Sequence, residues 1–296
     1  MFRSPLQSAA EPCRAAMIVL DFDGTLTDAD AHAPAFHEAS GRALARRLGW
    51  DESRLRQEWQ RAQAAVAASS PQAAWIVEGH PAAPAAGDPY LIANSVTKLL
   101  LAEQLPGLGS AELLAAVMEV HHAAYESTPP PLRPETREVL EELCASGHHV
   151  SVVTNSRTGT VERLLDSLAL RCRDRLIVRG DANKFAVCGS ATADARFESL
   201  PETVRWPGLD RAIHLRRGRY FDVLRGLWDE TGTGPDSTLV VGDGFELDLA
   251  MPAALGAHAQ LVIRAGTLFH ERQLARKLAR GDADERLTAI LDRLRG

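Results

Sequence analysis

The feature that most constrains this chain is a four-residue apolar run, Met17-Ile18-Val19-Leu20, that halts on Asp21 and is followed by Phe22-Asp23-Gly24-Thr25. A short unbroken run of this kind, rich in β-branched residues and lacking polar alternation, reads as a strand buried on both faces of a parallel sheet. Further strands are expected at 149–153, 176–178, 237–241 and 260–263. Helical periodicity separates these runs at 158–169, 219–230 and 247–255. Another helix is bracketed by Pro134, at the position of a helix N1 proline, and Gly147, at that of a C-terminal stop. Strands alternating with helices predict an α/β fold with a doubly wound, Rossmann-like parallel-sheet core.

Residues 31–130 break that alternation. Stretches at 38–48, 51–68, near 90–105 and 110–126 carry helical spacing and much alanine, with no convincing strand. Between them SSPQAAWIVEGHPAAPAAGDPY, rich in Pro, Gly and Ala, reads as an irregular loop. Three prolines at 129–131 close the segment. The expected organisation is a core of residues 1–30 and 131–296 with an inserted helical domain at 31–130. Residues 180–215 show no pattern to assign. The tail, with Leu287, Ile290, Leu291 and Leu294, predicts an amphipathic helix whose stripe serves either the core or a dimer, so monomer and homodimer are both open.

Composition excludes more than it assigns. With 45% apolar and 24% charged residues the chain can build a core, which sets intrinsic disorder aside. A net charge of −6 supplies no global field for nucleic acid or an anionic membrane, so neither partner is expected. Four cysteines lack metal-ligand or paired spacing and fit a reducing cytosol. The N-terminal MFRSPLQSAAEPCRAA holds no apolar stretch long enough for a signal peptide, and no window reads as a membrane span, so a cytoplasmic location is expected. Abundant Ala and Arg with only three lysines, Lys98, Lys184 and Lys277, mark a GC-rich bacterial genome and carry no function.

Three apolar runs end in polar groups: Asp21 and Asp23, then Thr154 and Asn155, then Asp243. In open α/β sheets ligands bind beyond the carboxyl ends of the strands, so these groups are expected to converge. Carboxylates gathered there repel unless a hard cation joins them, and oxygen ligands with few protein donors suit Mg²⁺ beside a phosphate.

DFDGT at 21–25, VVTN at 152–155 and VVGDGFELD at 240–248 resemble the motifs of the haloacid dehalogenase superfamily of phosphohydrolases. The resemblance covers roughly residues 17–29 and 131–265, and the helical insert matches by position what that superfamily calls a type-one cap. It implies that Asp21 is the nucleophile, forming an aspartyl-phosphate, and that Asp23 is the general acid and base. It implies Mg²⁺ held by Asp21, the carbonyl of Asp23 and Asp243, with Asp248 behind them. The Thr154 hydroxyl, together with Asn155 and nearby amides, would receive the phosphoryl oxygens. The superfamily usually places a lysine before the helix that precedes the fourth strand. Here that place holds Arg216-Arg217-Gly218-Arg219, so Arg217 is the first expectation, Arg216 the second, and Lys184 a distant candidate.

The activity implied is a Mg²⁺-dependent phosphomonoesterase acting on a small phosphorylated metabolite. A dehalogenase of the superfamily lacks the acid two residues past the nucleophile, and a phosphonatase needs a cap lysine that residues 30–97 do not supply. A sugar-phosphate mutase shares Asp23 and stays open, as does a non-catalytic phospho-ligand-binding protein. The pairs His121-His122 and His148-His149 diverge on a helix or strand and are not expected to chelate. Trp59, Trp75 and Tyr90 are expected in the core of the insert, with Trp75 the best candidate for a substrate contact.

Overall fold

The computed structural model describes residues 13, 15–69, 73–206 and 208–295, so the reading of the N-terminal dozen residues falls outside the described part. The chain divides into two compact units, Met1–Thr27 with Leu132–Gly296, and Asp28–Pro131. Numbered along the chain, the strands are β1 (Met17–Leu20), β2 (Ala74–Val77), β3 (His80–Pro84), β4 (His149–Val153), β5 (Leu176–Arg179), β6 (Thr203–Val204), β7 (Ile213–His214), β8 (Thr238–Gly242), β9 (His258–Val262) and β10 (Gly281–Asp284).

The first unit is built on one six-stranded sheet in the order β10-β9-β8-β1-β4-β5, with every pairing parallel. β1 alternates its side chains between two apolar layers, Met17 and Val19 on one face, Ile18 and Leu20 on the other. The first layer is completed by Tyr220, Leu224 and Trp228 from the helix Gly218–Thr231, the second by Val139, Leu140 and Leu143 from the helix Thr136–Ala145. Burial on both faces explains why β1 is an uninterrupted apolar run and why β4, β8 and β9 are mostly apolar. Leu20 lies opposite both Val152 of β4 and Val241 of β8, so three central strands end level. The order reverses at β1, which places a crevice beyond its carboxyl end.

Several elements of this unit escape the sequence pattern, among them β10 and the turn after β8. β10 reads Gly-Asp-Ala-Asp and pairs only with β9 at the sheet edge, where no apolar run is required. The helix expected at 247–255 begins instead as a π-helical turn, Phe245–Leu249, running into Ala250–Ala254. Of the C-terminal stripe, Leu287, Ile290 and Leu291 are buried in the layer that also holds the helix Thr136–Ala145.

The second unit packs the helices Ala29–Leu48, Glu52–Ala67, Pro89–Gln104 and Ser110–Ser127. Three begin at aspartates that accept a first-turn amide: Asp28 from Ala31 at 2.9 Å, Asp51 from Arg54 at 2.8 Å and Asp88 from Leu91 at 2.9 Å. Such caps contribute about 1 kcal/mol each. The irregular loop expected here is corrected: outside 70–72, which are not described, it contains the antiparallel hairpin β2-β3. Glu78 at φ 49° and Gly79 at φ 84° form its two-residue turn, the conformation that matches strand twist. Pro81 and Pro84 disguised β3 as a loop, since proline is tolerated only in edge strands. Trp75, on β2, is 4% exposed. No described helix is long and apolar enough to cross a membrane.

Candidate active site

Asp21 continues β1 by one residue, and its amide donates to the Val241 carbonyl at 2.8 Å, which fixes it at the crevice. The chain then turns tightly, Leu26 and Thr27 donating to the Phe22 carbonyl at 2.9 and 3.1 Å. Gly24 makes the turn at φ +82°. A Cβ there would lie 2.3 Å from Asp243 Oδ2, so both conformation and close approach require glycine. The turn carries Asp23 toward the end of β4. There its Oδ2 accepts from Ser156 Oγ at 2.6 Å and from Thr154 Oγ1 at 3.4 Å. Ser156 carried no signal in the sequence beyond its place next to VVTN.

The basic group beside Asp21 is Lys184. Its Nζ donates to Asp21 Oδ1 at 2.7 Å and to Asp248 Oδ1 at 2.8 Å, fully buried, with the Tyr220 ring 5.4 Å away. Asp181 (φ 52°) and Asn183 (φ 47°) hold the preceding loop in the left-handed region, a strain that marks functional loops. Asn155 Oδ1 accepts from the Lys184 amide at 2.7 Å, so its side chain steadies the lysine loop.

Arg217 is placed differently from the expectation. Its guanidinium is fully buried and Nη1 donates to the Lys184 carbonyl at 2.8 Å, so it braces the lysine from behind. The cause lies next door: a Cβ on Gly218 would sit 1.9 Å from the Gly189 carbonyl oxygen, and that close approach draws the helix start into the core. Arg216 donates to the carbonyls of Leu200 at 2.9 Å and Glu198 at 3.1 Å, and Arg219 is exposed.

Carboxylate oxygens of Asp21, Asp243 and Asp248 all lie within 4.8 Å of one another, and among the described residues no histidine or cysteine joins such a cluster. Asp248 thus enters the acidic cluster itself, while its Oδ2 accepts from the Gly244 amide at 3.0 Å and Tyr220 donates to its carbonyl at 3.0 Å. Asp243 Oδ2 accepts from Arg264 Nε at 2.5 Å, a contact with no sequence signal. Burial pushes the Asp21 carboxyl up, Lys184 opposes it, and Asp248, Asp243 and Asp23 add to the rise. Burial alone would push Lys184 down, but Asp21 and Asp248 outweigh it and hold the amine protonated. Burial pushes Arg217 down to about 10.

The buried cluster sets the carboxyls of Asp21, Asp243 and Asp248 against the cations of Lys184 and Arg264. All-oxygen donors in that arrangement fit a hard divalent cation. Lys184, held between two carboxylates that favour its protonated form, can neutralise charge arriving at Asp21. The arrangement therefore offers a carboxylate nucleophile, a second carboxyl held by two hydroxyls, and a cationic back wall.

A model of the haloacid dehalogenase-like hydrolases matches residues 16–203. No curated protein matches this sequence. Among solved structures, a predicted phosphoglycolate phosphatase of Haemophilus somnus 129PT is 16% identical, covering 94% of this chain and 97% of that one at a TM-score of 0.51. The HAD-hydrolase YfnB of Bacillus subtilis, bound to magnesium, is 12% identical, covering 96% and 100% at a TM-score of 0.50. Likeness at such identities shows a shared fold.

Proposed function

From the premise that this chain belongs to the haloacid dehalogenase-like hydrolases, we propose that it is a Mg²⁺-dependent phosphomonoesterase acting on a small phosphorylated metabolite. The observation that carries this reading is Asp23, two residues past Asp21 and held by Ser156 and Thr154. A dehalogenase has no use for an acid there, whereas a phosphate ester must have its leaving oxygen protonated.

In this mechanism a carboxylate oxygen of Asp21 attacks phosphorus, and the O–P bond forms as the ester P–O bond breaks. Asp23, protonated at the start, gives its proton to the departing alkoxide. Water then attacks the phosphorus of the aspartyl-phosphate and gives a proton to Asp23. The bond from phosphorus to Asp21 breaks, and the carboxylate is regenerated. Lys184 keeps Asp21 oriented and offsets its charge throughout. Thr154, already at Asp23, offers its hydroxyl to a phosphoryl oxygen. Asp21, Asp243 and the Asp23 carbonyl would hold Mg²⁺, with the Asp248 carboxylate adjoining. When bound, the ion screens the anionic nucleophile from the anionic phosphate. The helical unit is read as a type-one cap that admits small molecules, and the cytosol as the compartment.

A panel of phosphorylated metabolites, assayed for released phosphate with Mg²⁺ present, tests the proposal. At least one should be hydrolysed in an Asp21-dependent manner. Phosphate release from none, with binding of one retained, would instead make this a phospho-ligand-binding protein.

A further inference from the structure

Arg264 follows β9, is 5% exposed, and is anchored at its backbone on both sides. Its amide donates to Thr267 Oγ1 at 2.8 Å, while its carbonyl accepts from the Thr267 amide at 3.1 Å and from Arg272 Nη2 at 3.3 Å. The guanidinium it presents to Asp243 is thus a built fixture. It is also packed onto the nucleophile turn, since a Cβ on Gly24 would lie 2.9 Å from Arg264 Nε as well as 2.3 Å from Asp243 Oδ2.

We infer that Arg264 is the protein's own counter-cation for Asp243, which stabilises the acidic cluster without a divalent ion and makes loading of that ion depend on an anionic phosphate. The inference rests on the metal-binding part of the proposed function. A divalent ion bound at Asp243 shares its ligand with a buried guanidinium of like sign, so binding of the ion alone is weakened. With Lys184 also in place, the loaded site carries excess positive charge, which a phosphate dianion relieves. Ion and phosphate thereby favour each other, and by linkage each raises the affinity of the other equally. Removing the guanidinium should tighten the ion and loosen that coupling.

Calorimetric titration of Mg²⁺ and Mn²⁺, with and without inorganic phosphate, tests this on wild type, Arg264→Gln and Arg264→Lys. Arg264→Gln should bind either ion alone about tenfold more tightly than wild type, and phosphate should enhance its ion affinity less. Arg264→Lys, which keeps the charge, should stay near wild type. In chelator Arg264→Gln should melt below wild type, and Mg²⁺ should restore it. Equal or weaker ion affinity in Arg264→Gln, or a variant that fails to fold even with Mg²⁺, overturns the inference while leaving the phosphatase reading intact. No ion binding by any of the three overturns the metal assignment itself, and this inference with it.

Discussion

Lys184 Nζ lies 2.7 Å from Asp21 Oδ1 across 163 residues of sequence, and the same ammonium reaches Asp248 Oδ1 at 2.8 Å. One buried cation therefore ties the end of β1 to the π-helical turn after β8, and it does so from a loop without regular structure. Arg217 stands one layer further back, on the Lys184 carbonyl.

That layering separates two roles by mutation. Lys184→Ala should lower kcat by about 10²-fold or more, as for a lost charge at the reacting group. It also leaves two buried carboxylates without their cation, at a cost of roughly 3–5 kcal/mol in stability. Arg217→Met should destabilise the fold and reduce turnover less, because it acts through the lysine backbone. Arg216→Ala should be close to wild type. Steady-state kinetics with thermal unfolding on all three checks the order, and a dead Arg216→Ala would contradict it.

The acidic cluster predicts a metal requirement. Turnover should vanish in excess chelator and return with Mg²⁺, and Asp243→Asn should raise the Mg²⁺ concentration needed or abolish activity. Full activity in chelator would contradict the cluster's assigned role.

How much of this was legible in the sequence depended on burial. β1, β4 and β8 are buried on both faces and are therefore mostly apolar, and the polar residues ending them were visible as site candidates. Lys184 was legible only weakly, because Asp181 and Asn183 adopt left-handed backbone in a stretch without periodicity. Position along the chain favoured Arg217, whereas the close approach of Gly218 to the Gly189 carbonyl and the bridge between Cys188 and Arg217 hold it inward. Arg264 and Ser156 reach the site through tertiary packing alone. The hairpin β2-β3 was hidden by prolines, and β10 by its polar edge position.

Glu271, buried and accepting from the Phe245 amide at 3.0 Å, predicts a pH-dependent stability. Burial and then the nearby Glu246 push its carboxyl from the ordinary 4.5 up to about 8. Between those values the folded protein keeps a proton that the unfolded chain has released. Its contribution is therefore fully present below 4.5 and is lost as pH rises through about 8. Glu271→Gln mimics the protonated form and should melt roughly a few degrees above wild type near pH 8.5, with the gap closing near pH 5. A difference that does not vary with pH would contradict the shift.

In the proposed mechanism Asp21 carries the phosphoryl group and Asp23 moves the protons. Without its acid and base, the protein should still accept phosphate from an aryl ester, whose leaving group scarcely needs protonation, but should hydrolyse the adduct slowly. Turnover of Asp23→Asn should fall about 10²- to 10⁴-fold. Intact-protein mass spectrometry of Asp23→Asn after mixing with an aryl phosphate and Mg²⁺ reads this directly. One added phosphoryl group is expected, removed by hydroxylamine and absent when Asp21→Asn is combined with Asp23→Asn. An active Asp21→Asn enzyme with no adduct in any variant would mean that water attacks phosphorus directly, and the covalent mechanism would be wrong.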